Sequence, residues 1–208
     1  TSAPDADNYK TYLSELTDEM KTLTQTVLDD WTNGYRDSFV ANTENSPTGS
    51  LNLMVNDFIF YYEKGFRANK FGIPGGVFSP TPLPDRVEAL YHDNFSKTLA
   101  LEGMDAIQNF FNGRAYNGGN DGESLDDYLD FLNTIKEGED LSALINNQFN
   151  EGETKINTLN ESFETQVETN NVAMTETFDV IQLAVVLLKV DMLQALDISV
   201  DFVDADGD

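Results

Sequence analysis

A single histidine and no cysteine stand among 208 residues. Thiolate-ligated zinc, haem and iron–sulfur sites are therefore excluded, as is any two-histidine metal motif within this chain. The remaining chemistry must come from carboxylates, a few cations and His92. Glu88 and His92 are four residues apart, so on a helix both face one side and offer a metal two ligands. The plainer reading is a helix-end histidine beside a carboxylate. No cofactor is specified, and none is expected to be held tightly by this chain alone. Glu63, Arg67 and Lys70 share a helical face with Ile59 and Phe66, and that face ends at Pro74-Gly75-Gly76. These six residues form a candidate binding site, in which Arg67 takes a substrate carboxylate through two parallel hydrogen bonds. The alternative is an ion pair on the surface of a helix. Asp201, Asp204, Asp206 and Asp208 are oxygen ligands of the type calcium prefers, but Gly207 is misplaced for a calcium loop and the closing glutamate is missing. A solvated acidic tail explains them as well.

Charge narrows the partners. Twelve Lys and Arg against 37 Asp and Glu give a net charge of −25. Nucleic acid and anionic lipid both require clustered cations, so neither is an expected partner. The longest apolar run, residues 183–188, is too short to span a bilayer. Apolar residues are 40% of the chain and periodic, which supports a packed core.

The elements that must position these residues read as helices. Tyr9, Leu13, Leu16, Met20, Leu23 and Val27 recur every three or four positions, with Trp31 a turn further, and predict a helix over residues 7–33 that ends at Gly34. Residues 35–40 continue as a short turn. A second helix spans 50–70. Residues 71–84 hold four prolines and three glycines and read as a long loop, although Phe71, Ile73, Val77 and Phe78 make it apolar. Short helices follow over 85–92 and 125–135, with a longer one over 96–112. Ile145, Phe149, Gly152, Ile156, Leu159, Phe163 and Val167 form one seam of a helix opening at Asp140. A final apolar helix runs from Thr175 to about 196, and Ile198, Val200, Phe202 and Val203 mark a short extended tail. The fold class is all-α, an antiparallel helical bundle with a long Pro/Gly loop, and 1–208 reads as a single helical domain.

The stretch Lys70-Phe71-Gly72-Ile73-Pro74-Gly75-Gly76, followed by Pro82-Leu83-Pro84-Asp85-Arg86-Val87-Glu88-Ala89-Leu90-Tyr91 and by Ala106-Ile107-Gln108-Asn109-Phe110-Phe111, resembles the imelysin-like family of metallopeptidases and iron-regulated periplasmic proteins. Leu187-Leu188-Lys189-Val190-Asp191-Met192 with the Asp204–Asp208 ending is similar to the family's outer-membrane lipoproteins. The resemblance implies two similar helical halves with a site near their interface, and a Gly-x-His-x-x-Glu signature in the first half. His92 is followed by Asp93-Asn94-Phe95, so the signature is not here. By resemblance the chain is a C-terminal half whose partner is the N-terminal half. It would be an extracytoplasmic module, periplasmic or a cell-surface lipoprotein, linked to iron or haem acquisition, with a peptide or an iron- or haem-related ligand. Two alternatives stand beside this one: half of a metallopeptidase whose metal motif lies in the other half, and a structural bundle with no small-molecule site. The interface reading expects Phe71, Ile73, Val77 and Phe78 to bury against that other half; the alternative folds the loop over its own bundle.

Overall fold

The structure, a computed structural model, describes residues 5–92, 94–116 and 118–201. About 71% of the chain is helical, as the apolar periodicity requires, and the described strands form one two-stranded ribbon. The chain divides into two compact units, Thr1–Glu44 and Asn45–Asp208.

In the first unit, α1 (Ala6–Asp30) continues through a π-wound turn, Trp31–Tyr35, into α2 (Arg36–Ala41). Residues 35–40 are thus helical and not a turn. Gly34 is where the path bends, with φ +143°, a conformation that side chains disfavour. Around it Trp31, Tyr35 and Phe39 group their rings at centroid distances of 5.7–6.2 Å. The stripe of α1 expected to face a core is exposed along its whole length: Leu13 is 60% and Met20 66% accessible, and no residue of α1 is buried.

In the second unit, α3 (Ser50–Phe60) runs on through a π-wound segment, Tyr61–Gly72, into a single turn, α4 (Ile73–Gly75). The long loop is therefore shorter than the sequence suggests. Pro74 lies in the opening positions of that turn, where its missing N–H is tolerated. A 3₁₀ turn, Pro84–Arg86, replaces the helix predicted over 85–92; Val87 is extended and Ala89 adopts φ +58°, which ends any helix. α5 (Ser96–Phe111) follows, then α6 (Leu125–Phe131), opened by Ser124, whose Oγ accepts from the Asp127 N–H at 3.0 Å. The predicted helix 125–135 stops early, because β1 (Ile135–Lys136) and β2 (Glu139–Asp140) form a hairpin. Its two-residue turn, Glu137-Gly138, has positive φ at both positions, the geometry of a type I′ turn.

The long seam is split. α7 (Leu141–Asn157) ends before Leu159, and α8 (Phe163–Val186) begins with Ser162 as its cap, so the last helix opens twelve residues before Thr175. All seven seam residues are nevertheless buried. Gly152 lets α7 approach α5; a Cβ there would stand 2.8 Å from the Met104 Cε. Asn170 kinks α8 (φ −154°, ψ 72°). α8 continues through a π-wound segment, Leu187–Met192, into α9 (Leu193–Ala195). Beyond it the tail is pinned by Asn56, whose Nδ2 donates to the Ser199 carbonyl at 3.1 Å and whose Oδ1 accepts from the Asp201 N–H at 3.2 Å. Phe202, Val203 and the acidic residues Asp204, Asp206 and Asp208 lie outside the described residues.

Candidate functional site

Glu63 and Arg67 lie one turn apart on the π-wound segment, among Ile59, Tyr62 and Phe66, which are fully buried. The pair is interior too: Glu63 is 0% and Arg67 1% exposed, with 3.9 Å between guanidinium and carboxylate. It is therefore not a surface pair. Lys189, from the π-wound segment after α8, brings its Nζ to 3.4 Å from Glu63 Oε2. The Arg67 guanidinium carbon sits 4.1 Å above the centroid of Phe178, a cation–π geometry strengthened by the absence of water. The adjacent Tyr62 hydroxyl donates to the Ile181 carbonyl at 3.0 Å, and burial pushes its pKa far up, with Arg67 pulling it partly back.

Phe178 joins Arg67 to the Pro-Gly turn. Gly72 allows two rings to close on the backbone: a Cβ there would meet Phe78 at 2.6 Å and Phe178 at 2.7 Å. The Phe78 ring meets Phe178 edge-on at 5.8 Å. Pro74 and Gly75 are buried, and their carbonyls accept from the Leu83 N–H at 2.8 Å and the Asn171 amide at 2.9 Å. Gly76 has φ +79° and no space for a side chain, the Thr81 carbonyl oxygen lying 2.7 Å from a hypothetical Cβ. Of the apolar loop residues, Phe71 is fully buried in this chain, Ile73 is half-buried, and Val77 and Phe78 are about two-fifths exposed.

Five of the six predicted binding residues thus come together directly or through Phe178 and the turn; Lys70 leads elsewhere. Its side chain is 11% exposed, and its ammonium pairs with Glu88. Glu88 in turn raises the pKa of Tyr61, after burial, which acts more strongly. The Glu88/His92 pairing depends on helical spacing, and that helix does not form. Glu88 faces Lys70, whereas His92 is exposed and lines an open depression with Tyr91, Asn94 and Phe95. Among the described residues no three His, Asp or Glu side chains are grouped to hold a metal ion. No helix among them is long and apolar enough to cross a membrane.

The sequence reading found the apolar stripe of α1 but not its exposure. It missed a second surface, which lies where the end of α5 meets α6 and α7. There a cleft of about 660 Å³ is lined by aromatic side chains and one of about 510 Å³ by amides, with Arg114 bordering both.

Fold and site define an all-α bundle protein whose buried ion cluster is roofed by a Pro-Gly turn. The chain belongs to the imelysin family, whose model, that of peptidase family M75, matches residues 1–186. No curated protein and no solved structure matches it.

Proposed function

We propose that the chain as a whole is the C-terminal half of a two-bundle imelysin domain and acts as an extracytoplasmic binding module in iron or haem acquisition, by completing a site with an N-terminal half. The observation that carries the reading is α1. Its apolar residues alternate three and four apart through Tyr9, Leu13, Leu16, Met20, Leu23 and Val27, the spacing by which one helix seats on others. Every one of them is exposed. A helix of 25 residues takes most of its stability from packing, and this one buries nothing. Of the six positions that flank the seam, Tyr12, Thr17, Thr24 and Thr26 are uncharged and Lys10 and Glu19 carry opposite charges, while Asp7, Glu15, Asp18 and Asp29 fall on the remaining positions of α1. A partner helix can therefore approach despite the net charge. Val77 and Phe78 on the Pro-Gly turn add a smaller apolar surface for the same purpose.

The test is co-expression with the first half of an imelysin-family protein carrying Gly-x-His-x-x-Glu. Sedimentation should show a one-to-one complex, and Leu16→Lys with Leu23→Lys should abolish it while leaving the second unit folded. A chain that stays monomeric beside that half, or pairs only with itself, would overturn the assignment. Cleavage of peptides by the assembled pair, lost on chelation, would replace the binding module with a metallopeptidase. Membrane fractionation and labelling of intact cells test the location.

A further inference from the structure

The geometry points to a binding site for a neutral oligosaccharide at the junction of α5, α6 and α7. All of its residues lie in the second unit, so it does not depend on what covers α1. The polar half is built on Asn146. Its side chain exchanges two 2.9 Å amide hydrogen bonds with Asn112, accepts a third from Gln108 at 3.0 Å and donates to Asp126 at 2.9 Å. Gln108 also donates to the Asn150 Oδ1 at 3.0 Å. This network uses one end of each outer group and leaves the other end for the cleft. Gln108 Oε1 and the second oxygen of Asp126 remain as acceptors, and Asn150 Nδ2 and the Arg114 guanidinium as donors; none of the four has a partner among the described residues. Donors and acceptors interspersed at a cleft of about 510 Å³ match hydroxyl groups, which are both at once.

The apolar half supplies what the faces of a pyranose ring require. Phe110, Tyr128 and Phe131 line the adjoining cleft of about 660 Å³. Tyr128 and Phe131 lie near-parallel, 6.5 Å apart at an interplanar angle of 21°, and Phe131 is 81% exposed. A phenylalanine ring left this bare forgoes burial that a stacked ligand would restore. Each cleft falls within the usual size range of small-molecule sites. Charge decides among ligand classes. Glu123, Asp126 and Asp127 border the two clefts against the one cation Arg114, so an anion is repelled. A cation would be drawn by the carboxylates and the rings, but it accepts no hydrogen bond and so leaves the Asn150 and Arg114 donors unmatched. A purely apolar molecule would leave the amides unmatched. A neutral sugar, with an apolar face and a rim of hydroxyls, fits both halves.

The experiment is titration of the ¹⁵N-labelled full chain with maltohexaose, cellohexaose and chitohexaose in parallel, with an apolar hexapeptide as comparison. At least one sugar should shift the side-chain amides of Asn146 and Asn150 and the backbone of α6. Phe131→Ala and Arg114→Ala remove side chains at the cleft and should leave the far-UV circular dichroism unchanged while each weakens binding about tenfold or more. Asn150→Asp removes a donor and adds repulsion toward Asp126, and it should weaken binding through the polar half alone. No perturbation by any of the three sugars at millimolar concentration overturns the proposal. So does binding that survives both alanine substitutions, or a response to the peptide alone.

Discussion

Glu63→Ala is the sharpest test of what holds the second unit together. The carboxylate faces two cations, Arg67 at 3.9 Å and Lys189 at 3.4 Å, and both Glu63 and Arg67 are out of water. With an effective dielectric near 20, those separations correspond to attractions of about 4 and about 5 kcal/mol, offset by the cost of taking the groups out of water. Removing the anion leaves the guanidinium buried over Phe178 without this carboxylate, and the ring recovers only about 1–2 kcal/mol. Breaking a buried pair in this way costs about 3–5 kcal/mol, a large share of the roughly 5–15 kcal/mol that keeps a domain folded. The double substitution Glu63→Leu with Arg67→Met should return to within about 1 kcal/mol of the parent, since well-packed apolar residues replace buried pairs at little cost. Lys189, 14% exposed, can turn its ammonium outward. Urea unfolding is the assay, followed by near-ultraviolet circular dichroism of the buried tyrosine and by hydrogen exchange. Fluorescence of the single tryptophan would miss the event, because Trp31 belongs to the other unit. A loss below about 1 kcal/mol for Glu63→Ala, or a double variant no better than the single one, would refute the account.

Gly76→Ala should destabilise by about 1–3 kcal/mol, measured as a lower urea midpoint, because φ is +79° and the new Cβ would press on the Thr81 carbonyl. Asp126→Asn should stabilise the chain at neutral pH. Burial, then the neighbouring Asp130 and Asp127, hold the Asp126 carboxyl above its ordinary range, while the hydrogen bond from Asn146 pulls it back. A raised pKa means the folded chain binds that proton more tightly than the unfolded one, so the group favours folding in acid and that contribution is lost as pH rises through the folded value. The gain from the Asp126→Asn substitution should therefore be present at pH 7, stay under about 1 kcal/mol because the site is partly solvated, and vanish once pH falls below the ordinary aspartate value. Thermal melts across that range check both sign and window.

Helices with one strongly apolar face were legible from spacing alone. α5 lies within a residue of its expected range, and every member of the seam from Ile145 to Val167 is buried, even though a break at residues 158–162 interrupts it. Spacing of three and four continues across such a break when both pieces pack on the same core, so periodicity alone does not reveal the break. The hairpin at Ile135–Asp140 escapes a pattern search because two residues per strand cannot show alternation. Its local signal was Gly138 alone, because a type I′ turn favours Asn, Asp or Gly at the position that Glu137 holds with φ +57°. The helix expected over 85–92 lost to tertiary contacts: Val87 is drawn into the core and Glu88 toward Lys70, and the backbone turns at Ala89 to allow both.

The candidate site was legible as a set of residues and not as an environment. Glu63 and Arg67 stand out as a helical pair, and the sequence also shows Ile59, Tyr62 and Phe66 around them, a setting in which burial is the expected outcome once the face turns inward. Phe178 lies 111 residues beyond Arg67, and no local pattern announces that its ring will separate the guanidinium from the Pro-Gly turn. The amide cluster was hidden for the same reason: Gln108 and Asn112 are one turn apart on α5, Asn146 and Asn150 one turn apart on α7, and only the packing of those helices makes them a unit. α1 presents the converse case. Its 3–4 spacing is as regular as that of the buried seam in the second unit, yet its apolar side chains face solvent. Periodicity reports that a face must be covered; it does not say which polypeptide covers it. On the half-domain reading proposed above, that distinction is the functional one, because a second unit with its own core and a first unit with a bare helix is built to be joined, and its binding properties would belong to the assembly that α1 creates.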